Sequence, residues 1–365
     1  MKHLLLTAMS LLFLFSCTEP TQGMFYSIEN EKKTGDETEI VPNTITVGGM
    51  TTFNFNSQLY LAANSLYIKD ANNTWSKAAP SLPNLSSPLI YDVESNGGTS
   101  LFLVAGDGKG SSNLYKSTDG NFYTQITTTL VGLPMALVPV VKSLSSEVLL
   151  ITSTNQVYSL TGGNLNTTAL LPAASYSTPV TQAVYHGSNY YLVNKSYLFT
   201  GANLTSVMTS NVVKTTTGSS LGDLGGITST NYLSGTTAEL IISTSFGTIL
   251  NQDGADWKIY PDTSILKDTT GSTVLELGSI FEYTRNSQNV LLMGNIGHGY
   301  SEAYLNGIPA TVKTSSPAIT GDSLFSNSSM GSKASVTGFH VFKDTLYASS
   351  LAGFWKNSGN DWNWE

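Results

Sequence analysis

The sequence predicts an all-β chain that folds as a seven-bladed β-propeller of four-stranded antiparallel blades. Composition is the first observation that predicts it. Only 12% of the 365 residues are charged, against about 25% in ordinary globular chains, while Ser, Thr, Asn, Gly and Tyr recur throughout. β-Branched and aromatic residues suit strands, and Gly or Asn suits tight turns. A repeat and the hairpin pattern around it are the other two observations.

The repeat is a short, nearly all-apolar run that occurs seven times. Successive runs begin 42, 47, 42, 50, 50 and 56 residues apart, which is close to the length of a four-stranded blade. A middle strand is covered on both faces when blades stack, so it loses the polar alternation of a half-exposed sheet. The runs are Leu59–Ala62, Leu101–Val104, Val148–Ile151, Tyr190–Val193, Leu240–Ile242, Val290–Met293 and Leu346–Ala348.

Each run lies in the same local order of predicted strands. An alternating stretch such as Val336–Phe342 and a turn such as Lys343–Asp344 precede it, and a second hairpin arm such as Gly353–Lys356 follows. An outer strand with a large residue completes each unit. We expect these large residues to fill the widening gap between blades, with carbohydrate stacking as the alternative. They are Trp75, Phe122, Leu165, Leu204, Trp257, Ile308 and Trp362.

Closure of the ring has two candidate solutions. The last unit has four strands of its own, ending in Trp362–Glu365. The stretch Asn43–Val47 could add a strand to one edge, or the ring could close by packing alone. Either arrangement protects the edges that an open sheet exposes.

One turn resembles a family motif. The segment Leu114–Phe122 resembles a degenerate Asp-box, the turn of sialidase-like propellers, and Asn251–Trp257 and Lys356–Trp362 are weaker echoes. The resemblance implies a propeller and leaves activity open. Sialidases clamp a carboxylate with three arginines, whereas this sequence has one, Arg285, so the sequence argues against sialidase activity.

The N-terminus predicts export. Lys2 and His3 precede the apolar run Leu4–Phe15, which is too short to span a bilayer comfortably. The tetrapeptide Leu14-Phe15-Ser16-Cys17 resembles the relaxed lipobox of bacterial, spirochaete-type lipoproteins. The resemblance implies cleavage before Cys17, a diacylglycerol on its thiol and an acyl chain such as palmitate on its amine. An ordinary signal peptide with an incidental cysteine is the alternative.

These patterns divide the chain into three parts. They are a signal peptide at 1–16, a lipidated cysteine and acidic tether at 17–42, and a propeller domain at 43–365. Phe25–Ile28 in the tether could instead dock on the folded domain. Cleavage leaves 16 basic against 25 acidic residues, a mature charge of −9. This acidity disfavours nucleic acid and anionic lipid as partners, so membrane attachment would depend on the acyl chains.

No set of catalytic residues stands out in the sequence. His186 and His340 lie near the ends of inner strands of distant blades, and motifs for calcium, phosphate or a nucleophile elbow are missing. We therefore expect no enzyme, no cofactor and no metal. Glycosidase carboxylates could still meet in a central funnel without any sequence signature. The candidate binding residues are Asp107, Lys109, His298 and Tyr300, of which His298 is expected in an exposed glycine-flanked loop.

Loop length selects one face of the predicted disc for binding. Connections between second and third strands, and between blades, share that face, and loops on a rigid scaffold carry function. We therefore expect a partner site on that face, mainly over blades four to seven. Tolerated insertions are the alternative explanation. We expect a monomeric envelope lipoprotein of the outer membrane that binds a protein or glycan, with a glycan-processing enzyme or an envelope-assembly scaffold as alternatives. The longer segments are Gly106–Asn113, Asn211–Leu224, Asp262–Val274, Asn295–Ser301 and Thr314–Lys333.

Overall fold

The computed structural model describes strands from Thr51 to Trp364. Within the described residues every assigned element is a β-strand, and no helix has the length and hydropathy that crossing a bilayer requires. The predicted signal peptide, Cys17, the tether and Asn43–Val47 lie outside the described residues. So do further segments, of which the longest are 214–221, 231–238, 261–275, 305–310, 316–326 and 329–334.

The described strands form consecutive groups of four, and neighbours within each group pair antiparallel. The first sheet contains β1 (Thr51–Phe55), β2 (Gln58–Ala62), β3 (Leu66–Lys69) and β4 (Trp75–Lys77). The second contains β5 (Leu89–Ser95), β6 (Leu101–Gly106), β7 (Ser112–Ser117) and β8 (Thr124–Gln125). The third contains β9 (Pro134–Val141), β10 (Val148–Thr152), β11 (Val157–Thr161) and β12 (Asn164–Leu165). The fourth contains β13 (Gln182–His186), β14 (Asn189–Val193), β15 (Leu198–Gly201) and β16 (Thr209–Asn211).

Three further groups follow along the chain. The fifth sheet contains β17 (Leu224–Thr230), β18 (Glu239–Thr244), β19 (Ile249–Asp253) and β20 (Asp256–Tyr260). The sixth contains β21 (Leu277–Arg285), β22 (Gln288–Asn295), β23 (Tyr300–Tyr304) and β24 (Thr311–Ser315). The seventh contains β26 (Val336–Phe342), β27 (Thr345–Ser350), β28 (Gly353–Ser358) and β29 (Asp361–Trp364), and the short β25 (Asn327–Ser328) pairs in parallel with β29.

The seven apolar runs all lie in the second strand of a sheet. The side chains of β6 and β10 are buried along their whole length, and most residues of the other runs are also buried. Clusters of these side chains connect neighbouring sheets, as where Phe102 and Val104 of β6 pack with Val148 and Leu150 of β10. Burial on both faces explains why these strands lack polar alternation.

In the first and seventh sheets a two-residue turn joins the first strand to the second. Asn56 and Ser57 have φ of 48° and 61°, and Lys343 and Asp344 have φ of 47° and 62°. Two successive positive φ angles are typical of type I′ turns, whose twist matches that of antiparallel strands. The polar turn predicted after Val336–Phe342 is therefore present.

The first strand of each sheet, here called the inner strand, contacts the inner strand of the next. β9 and β13 pair in parallel through Val140 and Ala183, and β26 contacts β1. At this last junction the Asn54 side-chain amide donates to the Val341 carbonyl at 3.1 Å. Trp75 packs edge-on against Phe354 with ring centroids 5.9 Å apart. Among the described residues, the first and last sheets therefore meet through side chains, and the proposed edge strand Asn43–Val47 lies outside them.

The prediction for the outer residue of the second sheet is wrong. Phe122 is 74% exposed, and Tyr123 occupies the core instead. The Asp119 carboxylate accepts the backbone N–H groups of Asn121 and Phe122 at 2.9 and 3.0 Å. This fixes the turn so that Phe122 lies outside. Ile308 lies outside the described residues, Leu165 is half-buried, and the other outer residues are buried: Trp75, Leu204, Trp257 and Trp362.

Candidate functional site

The sheets have two distinguishable ends, because their inner strands run in the same direction. We call the end where inner strands begin the upper end, and the opposite end the lower end. In each antiparallel sheet the turn between second and third strands lies beside the start of the inner strand. The upper end therefore carries those turns and the connections between sheets, and corresponds to the face that sequence analysis selected.

Three sheets contain an equivalent backbone hydrogen bond at the upper end. Its donor is a backbone N–H in the turn after the second strand, and its acceptor is a carbonyl just before or at the start of the inner strand. The pairs are Ser153 to Leu133 at 2.8 Å, Ser245 to Asp223 at 2.8 Å and Ile296 to Glu276 at 2.9 Å. Leu133, Asp223 and Glu276 thus occupy equivalent positions in their sheets.

Exposed apolar side chains concentrate at the upper end. Of the nine large hydrophobic residues that are exposed in the described part of the chain, seven lie there. The other two, Phe122 and Val207, lie in hairpins at the lower end. Single exposed apolar residues are ordinary on a protein surface, but their concentration at one end is typical of a binding face. The seven are Leu89, Val131, Leu133, Met135, Val212, Phe246 and Ile296.

Two of the predicted binding residues lie in an exposed turn at the upper end, between β6 and β7. The Asp107 carboxylate accepts the backbone N–H of Lys109 at 2.8 Å and that of Ser111 at 3.4 Å. The Lys109 N–H and the Ser111 side chain hold the pKa of Asp107 below its ordinary value. Gly108 and Gly110 have positive φ, as this tight turn requires. Asp107 therefore shapes the turn, while Lys109 is exposed.

Of the other two predicted binding residues, the structure describes only Tyr300. His298 lies outside the described residues. Tyr300 is the first residue of β23 and is 1% exposed. Its hydroxyl donates to Glu302 at 3.0 Å and accepts from the Trp362 indole at 3.0 Å. Its ring packs between the sixth and seventh sheets, so this side chain belongs to the core.

A glutamine joins three inner strands near their starts. The Gln182 side-chain oxygen accepts the backbone N–H groups of Ile227 at 2.9 Å and of Ile280 at 3.2 Å. A Cβ on Gly226 would lie 2.2 Å from that oxygen and 2.9 Å from both the Gly278 carbonyl oxygen and the Ile280 backbone nitrogen, so glycine lets β17 approach β21 closely at this point. Gln182 therefore holds the fourth, fifth and sixth sheets together.

An ion pair crosses between inner strands toward the lower end. Lys142, which directly follows β9, lies 2.6 Å from the Glu282 carboxylate on β21 and also donates to the Ser229 carbonyl on β17. Thr230 donates to the other Glu282 oxygen at 2.6 Å. The contact joins the third sheet to the fifth and sixth, spanning the fourth. Both oxygens of this carboxylate are thus engaged by the protein.

Two further carboxylates lie on the inner strand β5. The Asp92 oxygens accept the backbone N–H groups of Val93 at 2.8 Å and of Leu137 at 2.7 Å. Burial raises the pKa of Glu94 well above its ordinary value, and the nearby Asp92 charge raises it further, against a hydrogen bond from the Ser95 backbone. Asp92 links the second and third sheets, and burial disfavours the ionised form of Glu94.

The described histidines occupy separate inner strands. Burial, assisted by the Lys142 charge, lowers the pKa of His186. Burial lowers the pKa of His340 to about 4, and its Nε2 lies 3.0 Å from the Asn54 side-chain oxygen. In the described part of the chain, His, Cys, Asp and Glu do not gather in groups of three or more as metal ligands do.

Sequence reasoning missed the residues whose side chains make contacts between inner strands. Glu282 stands among apolar residues within β21, and Lys142 follows the run Val138–Val141. In a chain with 12% charged residues, a charge within an inner strand or directly after it is the signal that could have identified them. Nothing in the sequence pairs one with the other.

Consecutive four-stranded sheets, contacting through their inner strands, define a β-propeller. The solved structures that are similar to this chain include the following two. "YCF48 bound to D1 peptide" is 15% identical with a TM-score of 0.54 over 85% of this chain and 92% of that chain. "YCF48 from Cyanidioschyzon merolae" is 12% identical with a TM-score of 0.53 over 84% and 95%. No family model and no curated protein matches the sequence. At these identities the likeness establishes the propeller fold alone.

Proposed function

We propose that this chain is a lipid-anchored cell-envelope protein whose seven-bladed propeller binds a protein partner at the upper end, without catalysis. The concentration of exposed apolar side chains at that end carries the proposal. Apolar surface left in water is costly, and covering it with a partner recovers about 25 cal/mol for each Å² buried.

A protein is favoured over a glycan by the kind of side chain exposed. Of the seven exposed residues at the upper end, only Phe246 is aromatic, and the rest are aliphatic or Met. Aliphatic side chains suit the apolar side chains of a protein, whereas sugar rings stack on aromatic faces. The similar propeller "YCF48 bound to D1 peptide" supports a peptide as the kind of ligand.

Site-specific photo-crosslinking in the producing cell tests the choice of face. A photoreactive residue at Met135 at the upper end should crosslink to one partner, while the same residue at Val207 at the lower end should not. Both positions are exposed, at 47% and 59%, so accessibility is matched. A partner that crosslinks through Val207 and not Met135 would refute the proposed face.

Anchoring rests on the lipobox-like sequence that ends in Cys17. Cleavage would leave a tether at 17–42 between the acyl chains and a propeller at 43–365, on an outer-membrane surface and as a monomer. Metabolic labelling with an alkyne fatty acid should mark the natural chain and not a Cys17→Ser variant. Protease treatment of intact cells then distinguishes an outward from a periplasmic placement.

The enzyme alternative requires carboxylates near the axis. Asp92 binds backbone N–H groups, and Glu282 is bonded by Lys142 and Thr230. These contacts hold sheets together, so they support a structural role for both carboxylates. Turnover of a panel of glycosides by purified protein would favour the enzyme alternative. Co-purification with an integral outer-membrane protein would favour the assembly scaffold.

A further inference from the structure

The upper end carries two surfaces of different character. Leu89, Val131, Leu133 and Met135 belong to the second and third sheets, and we call them the apolar sector. Leu133 and Met135 are exposed on either side of the buried Pro134 at the start of β9, and Val131 is exposed in the bend that precedes them. The alternation about Pro134 presents the Leu133 and Met135 side chains on the same side of the chain.

The fifth and sixth sheets carry acidic residues in the position that Leu133 holds in the third. Asp223 and Glu276 provide the carbonyls of the equivalent hydrogen bonds. The Phe246 ring lies against Gly222, where an added Cβ would be 2.9 Å from the ring. The Ile296 backbone N–H donates a hydrogen bond to the Glu276 carbonyl. We call Asp223, Phe246, Glu276 and Ile296 the acidic sector.

Among the described residues, the charge on the acidic sector is only partly balanced. Lys195 lies 3.6 Å from Asp223, with both side chains about half exposed, so this pair is weak in water. The whole chain has a net charge of −8, which adds a long-range attraction for cations. The acidic sector and the net negative charge of the chain would both repel an anionic partner.

From these two sectors we infer that the natural ligand is a protein segment in which an apolar stretch adjoins a cluster of Lys or Arg. Its apolar side chains cover Leu133 and Met135, and its cations lie beside Asp223 and Glu276. The inference depends on the proposed function, because it specifies what the upper end binds. Apolar contact supplies most of the affinity, and charge selects the partner and speeds association.

Three dye-labelled peptides test the ligand chemistry by fluorescence anisotropy. One has a leucine block followed by a lysine block, the second has glutamates for the lysines, and the third has serines for the leucines. The protein variants are Leu133→Ser with Met135→Ser, and Asp223→Asn with Glu276→Gln. The control is Phe122→Ser with Val207→Ser, which removes exposed apolar residues from the lower end.

The leucine–lysine peptide should bind saturably, and each upper-end variant should weaken it about tenfold, equivalent to ~1.4 kcal/mol. Added salt should reduce the contribution of the acidic sector, and the lower-end control should leave affinity unchanged. Equal binding of the leucine–glutamate peptide, still lost in Leu133→Ser with Met135→Ser, would overturn the charge inference and leave the proposed face intact.

Other outcomes reject the proposed face itself. Loss of peptide binding in the lower-end control alone, or no saturable binding of any peptide, would overturn both proposals.

Phosphatidylcholine vesicles provide the last comparison. Vesicle binding that requires Leu133 and Met135, without peptide binding, would identify a membrane surface as the ligand and overturn the inference.

Discussion

Replacing Gln182 with leucine should destabilise the propeller by removing one side chain that holds three sheets together. Its oxygen accepts from the backbone N–H groups of Ile227 and Ile280, residues that are 0% and 2% exposed. A buried donor left without its acceptor costs about 1–3 kcal/mol. Two such donors predict a loss of about 2–5 kcal/mol, after allowing for a small gain from the added apolar group.

Urea unfolding, followed by tryptophan fluorescence, measures the loss in unfolding free energy. Native-state hydrogen exchange should also show faster exchange at the Ile227 and Ile280 amides than in the natural chain. The matched control is Gln125→Leu, because Gln125 bonds the exposed or half-exposed side chains of Asn84 and Asn113 at 3.3 and 3.0 Å, which water can replace. A loss below about 0.5 kcal/mol for Gln182→Leu, or unchanged exchange at both amides, would refute this reasoning.

Three further predictions concern other contacts between sheets. A double-mutant cycle with Lys142→Met and Glu282→Gln should give a coupling of about 1 kcal/mol by urea unfolding; zero coupling would show that the ion pair adds no stability. Gly120→Ala should cost about 1–3 kcal/mol, since φ is +83° and the new Cβ would lie 2.5 Å from the Tyr60 hydroxyl; an unchanged melting temperature would contradict this. Burial, with the Lys356 charge, lowers the pKa of Lys69 to about 8. Between pH 8 and the ordinary lysine pKa, the unfolded chain therefore binds more protons than the folded chain. Stability relative to a Lys69→Met variant should therefore rise as pH increases from about 8 to about 10, and a flat difference would count against it.

The sequence predicts the strands well because burial on both faces leaves a local signature. The apolar run in β6 and the polar turn at Lys343–Asp344 can each be identified from a few adjacent residues. Phe122 shows the limit of this reasoning. Which of two adjacent aromatic residues points inward depends on the hydrogen bonds of the Asp119 turn, and the repeat alone does not specify them.

The candidate site was less predictable because its contacts are distant in sequence. Gln182 and Ile227 are 45 residues apart, and Lys142 and Glu282 are 140 apart. Register shifts near Gly225–Gly226 and Gly278 decide which backbone groups meet Gln182. Loop placement can select a face of the disc, but it cannot say which side chains that face exposes. Tyr300 shows that a residue next to a glycine-flanked loop can belong to the core.

The junction between the first and last sheets has a mechanical consequence. A pull that separates the two chain termini loads this junction, where β1 and β26 meet through side chains such as Asn54 and Trp75 packs on Phe354. Side-chain contacts can yield one after another, whereas a ladder of backbone bonds sheared along its length must break together. Under such a pull the first and last sheets would separate first, and the remaining sheets would follow along the chain.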